Sequence, residues 1–206
     1  MKLYLYDHCP FSMRPRLVAG LHNYPIEICV LRISDFKTPE QLVGKKIVPI
    51  LEKNDGSIMT ESIDIALYLD SLGTKKISQD TIDPTFDSWK QLILNDYISL
   101  TSPLFIHSCR EFQSDGDVKL YQAIEEDFLK ASFNEVIDQR STIKNRIETQ
   151  LPELNQFITS PNPLDTLTLT ELALFPFIHH LKTQVNIKLT DPQFHFWNQL
   201  ASKIPV

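Results

Sequence analysis

The opening of the chain, from Leu3 to Leu31, constrains the fold more than any later stretch. Leu3-Tyr4-Leu5-Tyr6 is an alternating apolar run that reads as a strand. After Asp7-His8-Cys9-Pro10 the pattern changes to Leu17, Val18 and Leu21 at helical spacing, and Pro25 to Leu31 is apolar at most positions, as in an interior strand. A strand, a helix and a second strand in so short a length form a βαβ unit, with parallel strands and a right-handed crossover. The chain is thereby directed toward an α/β fold at its N-terminus.

Cys9 sits at the first strand-to-helix junction. Pro10 suits the first helical position, because its ring presets φ and the N–H it lacks would have had no partner. A thiol at that point faces free backbone N–H groups and the positive end of the helix dipole, so its pKa is expected below that of a free thiol. The alternative is a buried cysteine that acts only as a small hydrophobe. Arg14 and Arg16 add charge nearby, and Pro15 between them should bend the helix's first turns.

Thr38-Pro39-Glu40-Gln41 suggests a helix start with Thr38 as cap. Ile47-Val48-Pro49-Ile50-Leu51 suggests a third strand, with Pro49 at its start or at a bend. Asn54-Asp55-Gly56 is a hairpin signal leading to a return strand, Ser57-Ile58-Met59. Ile63, Ala66, Leu67, Leu69 and Leu72 then fit a helix stopped by Gly73. Residues 1–72 form a small α/β domain in this reading, 73–84 a polar linker, and 85–206 an all-helical domain. In the latter, Pro103 ends or kinks a helix running from Phe86 through Tyr97. Residues 118–158 divide into two helices near 135–142, and Thr168-Leu169-Thr170-Glu171 is a capping box ahead of Leu172 to Phe175. A last helix follows Asp191-Pro192.

At 206 residues and 42% hydrophobic, the chain can bury a sizeable core. A net charge of -6 disfavours nucleic acid and anionic membrane as partners. There is no apolar run of bilayer length and no signal-peptide pattern. Three cysteines, Cys9, Cys29 and Cys109, are an odd number at wide spacing, which argues for a reducing compartment, the cytoplasm. Cys29, in the second strand, reads as buried and structural, and Cys109 likewise. No metal-ligand spacing is present, and His179-His180 lacks matching ligands.

The run Tyr6-Asp7-His8-Cys9-Pro10-Phe11-Ser12, together with Val48-Pro49 and Glu61-Ser62, resembles the two-domain bacterial glutaredoxins of the glutaredoxin 2 family. The likeness spans the chain, the segment Leu167 to Pro176 included. It implies an α/β thioredoxin-like N-terminal domain plus an all-α C-terminal domain, a glutathione-transferase-like architecture, and a monomer rather than a dimer. It also implies a glutathione-dependent thiol–disulfide oxidoreductase acting through Cys9, whose partners are glutathione and either glutathionylated proteins or small disulfides. Glutathione is the co-substrate and no metal is expected.

By the same resemblance Pro49 is cis, and the backbone of Val48 can pair with the cysteinyl residue of the tripeptide. Ser62 and Glu61, opening a helix, can hold the γ-glutamyl carboxylate and ammonium. Pro10 and Phe11 flank the sulfur, and Lys45, Lys46 or Arg14 could meet the glycyl carboxylate. Taken singly, Glu61-Ser62 is also an ordinary helix start, and Val48-Pro49 an edge-strand proline. His8 has two readings as well, tuning its neighbour or pointing away from it. Ser12 departs from the family pattern, which has a second, resolving cysteine there. Serine cannot form a disulfide, so only a one-thiol cycle remains, in which Ser12 can hydrogen-bond the Cys9 thiolate. The alternative readings are a glutathione transferase, in which Ser12 or Cys9 serves an electrophile, and a non-catalytic glutathione-fold binding protein.

Overall fold

Strand β1 (Lys2–Leu5) lies inside a four-stranded sheet of order β2-β1-β3-β4 in a computed structural model that describes residues 1–78 and 81–205. Leu3 and Leu5 turn one face of β1 fully into the core. Helix α1 (Pro10–Leu21) returns the chain to β2 (Glu27–Val30), parallel to β1 as the βαβ pattern requires. β2 is nevertheless an edge strand, and its residues are half-buried or exposed. Its apolar run had suggested an interior position. Cys29 is therefore only half-buried, and its thiol donates to Glu27 at 3.5 Å.

Helix α2 (Lys37–Val43) starts one residue before the expected cap. Phe36 is its N-cap and Asp35, one residue earlier, accepts from the Thr38 N–H at 2.9 Å, so Thr38 and Pro39 lie inside the first turn, where a missing N–H costs nothing. Gly44, at φ +75°, ends the helix. Strand β3 (Ile50–Glu52) begins just after Pro49 and pairs antiparallel with β1. Gly56, at φ +80°, turns the chain into β4 (Ile58–Met59). Helix α3 (Ser62–Ser71) then packs on α1. Of the linker expected over 73–84, residues 79 and 80 lie outside the described residues.

The C-terminal region is helical. Asp83 caps α4 (Pro84–Ser108), which continues through Pro103. Residues 115–157 hold more elements than the two helices expected: α5 (Asp115–Leu129), α6 (Phe133–Asp138), α7 (Arg140–Gln150) and a 3-10 segment, Leu151–Phe157. Lys130 at φ +55° breaks the first, and a capping box between Ser132 and Glu135 starts the second. Pro152 sits in the first turn of the 3-10 segment. Helix α8 (Leu169–Thr183) is capped by Thr168 and Glu171, as its sequence signals. Glu171, fully buried, also accepts from the backbone N–H groups of Thr159 and Ser160, so the box ties down the preceding loop. α9 (Asp191–Ala201) closes the fold.

α8 is buried along most of its length and packs against α1, so one apolar core runs through both regions. The contact is close at Gly20, where a Cβ would lie 1.5 Å from the carbonyl oxygen of Lys203. Among the described residues no helix is long and apolar enough to cross a membrane.

Candidate functional site

The turn after β1 places Cys9 in extended backbone as N-cap of α1, with Pro10 in the first position. Its carbonyl accepts from Met13 at 3.1 Å, and its side chain leaves the helix end uncapped. Cys9 is 9% exposed. It borders a cleft of about 390 Å3 between the sheet region and the helical region, together with Tyr6, His8, Pro10 and Phe11. Tyr97, Phe105, Tyr121 and Phe177 supply the opposite wall. The sulfur is thus enclosed, but by a cavity rather than by packed core.

The expected low thiol pKa is not what this enclosure produces. Burial pushes the Cys9 thiol up, because removing water disfavours the charged form. Pulling the other way are the Ser12 hydroxyl and N–H, the Phe11 N–H and the Arg14 guanidinium. They reduce the rise without reversing it. The Ser12 hydroxyl is buried with no hydrogen-bond partner, so it is free to donate to the sulfur when that is charged.

Val48–Pro49 is cis, as the resemblance implied. The β1–β3 pairing ends at Tyr4 and Ile50, so Val48 and Pro49 lead into the strand that neighbours β1, from which the Cys9 turn departs. Pro49 is buried and Val48 half-buried. Ser62 is the first residue of α3 and is 8% exposed. Its Oγ accepts from Arg14 Nη1 at 3.2 Å, and the Arg14 guanidinium lies 4.8 Å over the ring of Phe11, which is half-exposed. Burial lowers the Arg14 pKa to about 10. Ser62, Arg14, Phe11 and Cys9 therefore form one connected patch. Glu61, the N-cap of α3, is exposed and does not cap with its side chain. Lys46 is engaged elsewhere, 3.6 Å over the Phe36 ring and donating to the Ile33 carbonyl, while Lys45 is exposed.

Several residues around the Cys9 turn had no signal in the sequence. Glu111, fully buried in the loop after α4, accepts from the backbone N–H of Asp7 at 3.1 Å and of His8 at 3.0 Å. Its Oε1 also lies 2.5 Å from His8 Nδ1. The His8 ring stacks on Tyr6 and meets Tyr121 edge-on, so it points into the helical region. Asp7 accepts from Arg16 at 2.9 Å and from Arg110 at 2.8 and 2.9 Å. Those arginines hold the Asp7 carboxyl below the usual value despite burial, which pushes it up. Cys109 neighbours Arg110 on the far side of this loop, and burial pushes its thiol up to about 12. His180 is buried, with Nδ1 2.5 Å from the Tyr97 hydroxyl. His179 accepts from Trp197 at 3.3 Å, and burial lowers its pKa to about 4.

Residues 3–75 match the family model for the N-terminal domain of glutathione S-transferase. The chain is 32% identical over 182 residues to glutaredoxin 2 of Escherichia coli strain K12, which covers 88% of this chain and 85% of that protein. It is 26% identical over 177 residues to glutathione S-transferase omega-1 of Mus musculus, covering 83% and 70%. The crystal structure of glutaredoxin 2 from Salmonella typhimurium in complex with glutathione matches with a TM-score of 0.87 and 29% identity, over 98% of this chain and 94% of that one. Glutathione transferase GSTFuA3 of Phanerochaete chrysosporium, at 14% identity and a TM-score of 0.74, shares the fold. With that architecture, and with nearly a third of its residues identical along most of both chains, the protein belongs to the glutaredoxin 2 family.

Proposed function

We propose that Cys9 alone carries a glutathione-dependent reduction of protein–glutathione and small mixed disulfides. Membership of the glutaredoxin 2 family makes the protein a glutathione-dependent thiol–disulfide oxidoreductase, with glutathione as co-substrate. The observation that carries the one-thiol reading is the pairing of Cys9, at a helix N-cap bordering the cleft, with Ser12 one turn on, where a resolving thiol would otherwise stand. Cys29 lies on the edge strand and Cys109 after α4, and neither borders the Cys9 cleft.

The Cys9 thiolate attacks the glutathione sulfur of a mixed disulfide. The new S–S bond joins Cys9 to glutathione, and the substrate sulfur leaves with the electron pair of the broken bond. A second glutathione, as thiolate, then attacks the glutathione sulfur on Cys9, releasing oxidised glutathione and the Cys9 thiolate. In this reading Val48 pairs with the tripeptide backbone beside Pro49. Ser62 and the N–H groups opening α3 take the γ-glutamyl carboxylate, Glu61 takes the ammonium, and Pro10 and Phe11 flank the reacting sulfurs. Ser12 donates to the thiolate. The fit rests on the short chain of contacts from Ser62 through Arg14 to Phe11 and Cys9. We place the glutathione-binding domain at 1–72 and the helical domain at 85–206, and read the protein as a cytoplasmic monomer, the compartment resting on its three free cysteines.

The test is glutathione-dependent reduction of a glutathionylated peptide. Cys9→Ser should abolish it, whereas Cys29→Ser and Cys109→Ser should each keep it. Reduction that survives in Cys9→Ser, or that is lost in either of the other two variants while they remain folded, overturns the one-thiol assignment.

A further inference from the structure

The Cys9 cleft is apolar over most of its lining, but three side chains of the helical region form a polar chain along it. Tyr121 donates to Ser102 Oγ at 3.1 Å, Ser102 Oγ donates to Glu125 Oε2 at 3.3 Å, and all three residues line the cleft. The Tyr121 ring meets that of His8, the neighbour of Cys9, with centroids 4.9 Å apart, so the chain starts beside the turn that carries the sulfur. Glu125 is half-buried and forms no ion pair among the described residues. Its Oε1 has no hydrogen-bond partner there and is open to solvent. The other basic groups of the lining are already matched, Lys90 with Asp87 at 2.5 Å and His8 Nδ1 with Glu111 at 2.5 Å. Burial raises the Glu125 pKa, because removing water disfavours a carboxylate that has no cation beside it, and His8 and the Ser102 hydroxyl offset this only in part.

We propose that Glu125 is a specificity-determining residue, favouring small mixed disulfides of glutathione whose leaving thiol carries an ammonium group. The proposal rests on the Cys9 cycle described above. Val48 and Ser62, which hold the tripeptide in that cycle, do not line the cleft. The cleft is therefore the space beside Cys9 for the other half of the disulfide, and about 390 Å3 suits a small thiol. The Cys9 thiolate attacks the glutathione sulfur, the bond to the substrate sulfur breaks, and that sulfur leaves with the electron pair while the ammonium on its chain meets Glu125.

The two halves of such a disulfide differ in charge as their two sites do. Away from the cleft, Arg14 is 6% exposed, donates to the Ser62 hydroxyl at 3.2 Å and forms no ion pair among the described residues. An unpaired cation thus stands where the anionic tripeptide binds, and an unpaired carboxylate stands where the thiol leaves. A disulfide bound the other way round would set the tripeptide carboxylates against Glu125, so the same charge order directs attack to the glutathione sulfur.

Reduction of two mixed disulfides of glutathione, one with an aminoethyl thiol and one with a hydroxyethyl thiol, tests this at about pH 8. The quantity read is the ratio of their kcat/KM values, and comparing that ratio between variant and unaltered protein cancels the intrinsic difference between the leaving groups. Glu125→Gln should lower the ratio of cationic to neutral substrate by about fivefold, the upper end for a partly exposed charge pair. Glu153→Gln removes an exposed carboxylate outside the cleft, with the same change of net charge, and should leave the ratio as it is. An unchanged ratio in Glu125→Gln, or an equal fall in both variants, overturns the proposal. A structural role would slow both substrates together, and an effect of net charge would not depend on position. If Glu125→Gln fails to fold, Glu125→Ala at this half-buried position is read by the same criterion. Activity surviving in Cys9→Ser would instead overturn the cycle itself.

Discussion

Residues 7 to 9 are consecutive, yet they face opposite electrostatic surroundings. Asp7 and His8 are held by charge: Asp7 by Arg16 and Arg110, and both their backbone N–H groups by the buried Glu111. Cys9 looks into a cleft walled mainly by aromatic and aliphatic side chains, and the Ser12 hydroxyl is the foremost polar influence on its sulfur. Arg14, a cation that bears on the sulfur, donates to Ser62. Charge on one side thus fixes the loop, and near-neutrality on the other leaves the thiol under the control of burial and a few donors. The helical region supplies both sides, through Arg110 and Glu111 on one and Tyr97 and Phe177 on the other.

The largest effect should come from breaking the charged side. Glu111→Ala removes the acceptor of two backbone N–H groups and of His8 in a fully buried site. It should cost about 3 kcal/mol of stability, within the range for truncating one partner of a buried charged network. Denaturant unfolding measures it. A loss under about 1 kcal/mol would mean that the turn is held by something other than this carboxylate.

Glu111 also shows where sequence reasoning stops. The βαβ unit, the hairpin at Gly56, the α8 capping box and the Cys9-Pro10 junction were legible because each is set by neighbours in sequence: a period, a cap, a turn residue. Glu111 stands 104 residues from Asp7, and nothing in its local pattern announces an acceptor for another region's backbone. The same holds for Arg110 and for the Tyr97–His180 pair, 83 residues apart. β2 was misplaced for a related reason. An apolar run shows that a strand meets other apolar groups, but edge or centre depends on which strands arrive later, and here β3 joined the other side of β1. The thiol pKa failed differently. Helix end and cations are readable in the sequence, whereas desolvation is the sum of everything packed around the sulfur, and it wins here.

A smaller loss should follow from Asp7→Asn, about 2 kcal/mol, since it removes the ion pairs to a buried and an exposed arginine together. Its pH signature has a definite sign. The folded pKa of Asp7 lies below its ordinary 3.8, so its contribution is complete above that value and is lost as pH falls through the folded one. Asp117, held down by Ser34, Ser114 and Arg32, acts in the same direction. Stability should therefore fall on acidification below about pH 4, and Asp7→Asn should shallow that decline. An unchanged acid limb in the variant would show that Asp7 ionises alike in the folded and unfolded chains.

Ser12→Ala probes the neutral side and should be the mildest change. Ser12 is buried, but its hydroxyl has no hydrogen-bond partner, so losing it strands no other group and should leave stability within about 0.5 kcal/mol. Its role is confined to the charged state of the sulfur, where it is the foremost influence favouring the thiolate. Removing it raises an already raised pKa. At neutral pH, below that pKa, the thiolate fraction falls in proportion, so alkylation of Cys9 should slow by about threefold, with the midpoint of its pH dependence moved upward. A faster reaction in the variant would mean that Ser12 screens the sulfur instead of stabilising its charge, and that the near-neutral wall alone sets the thiol's reactivity.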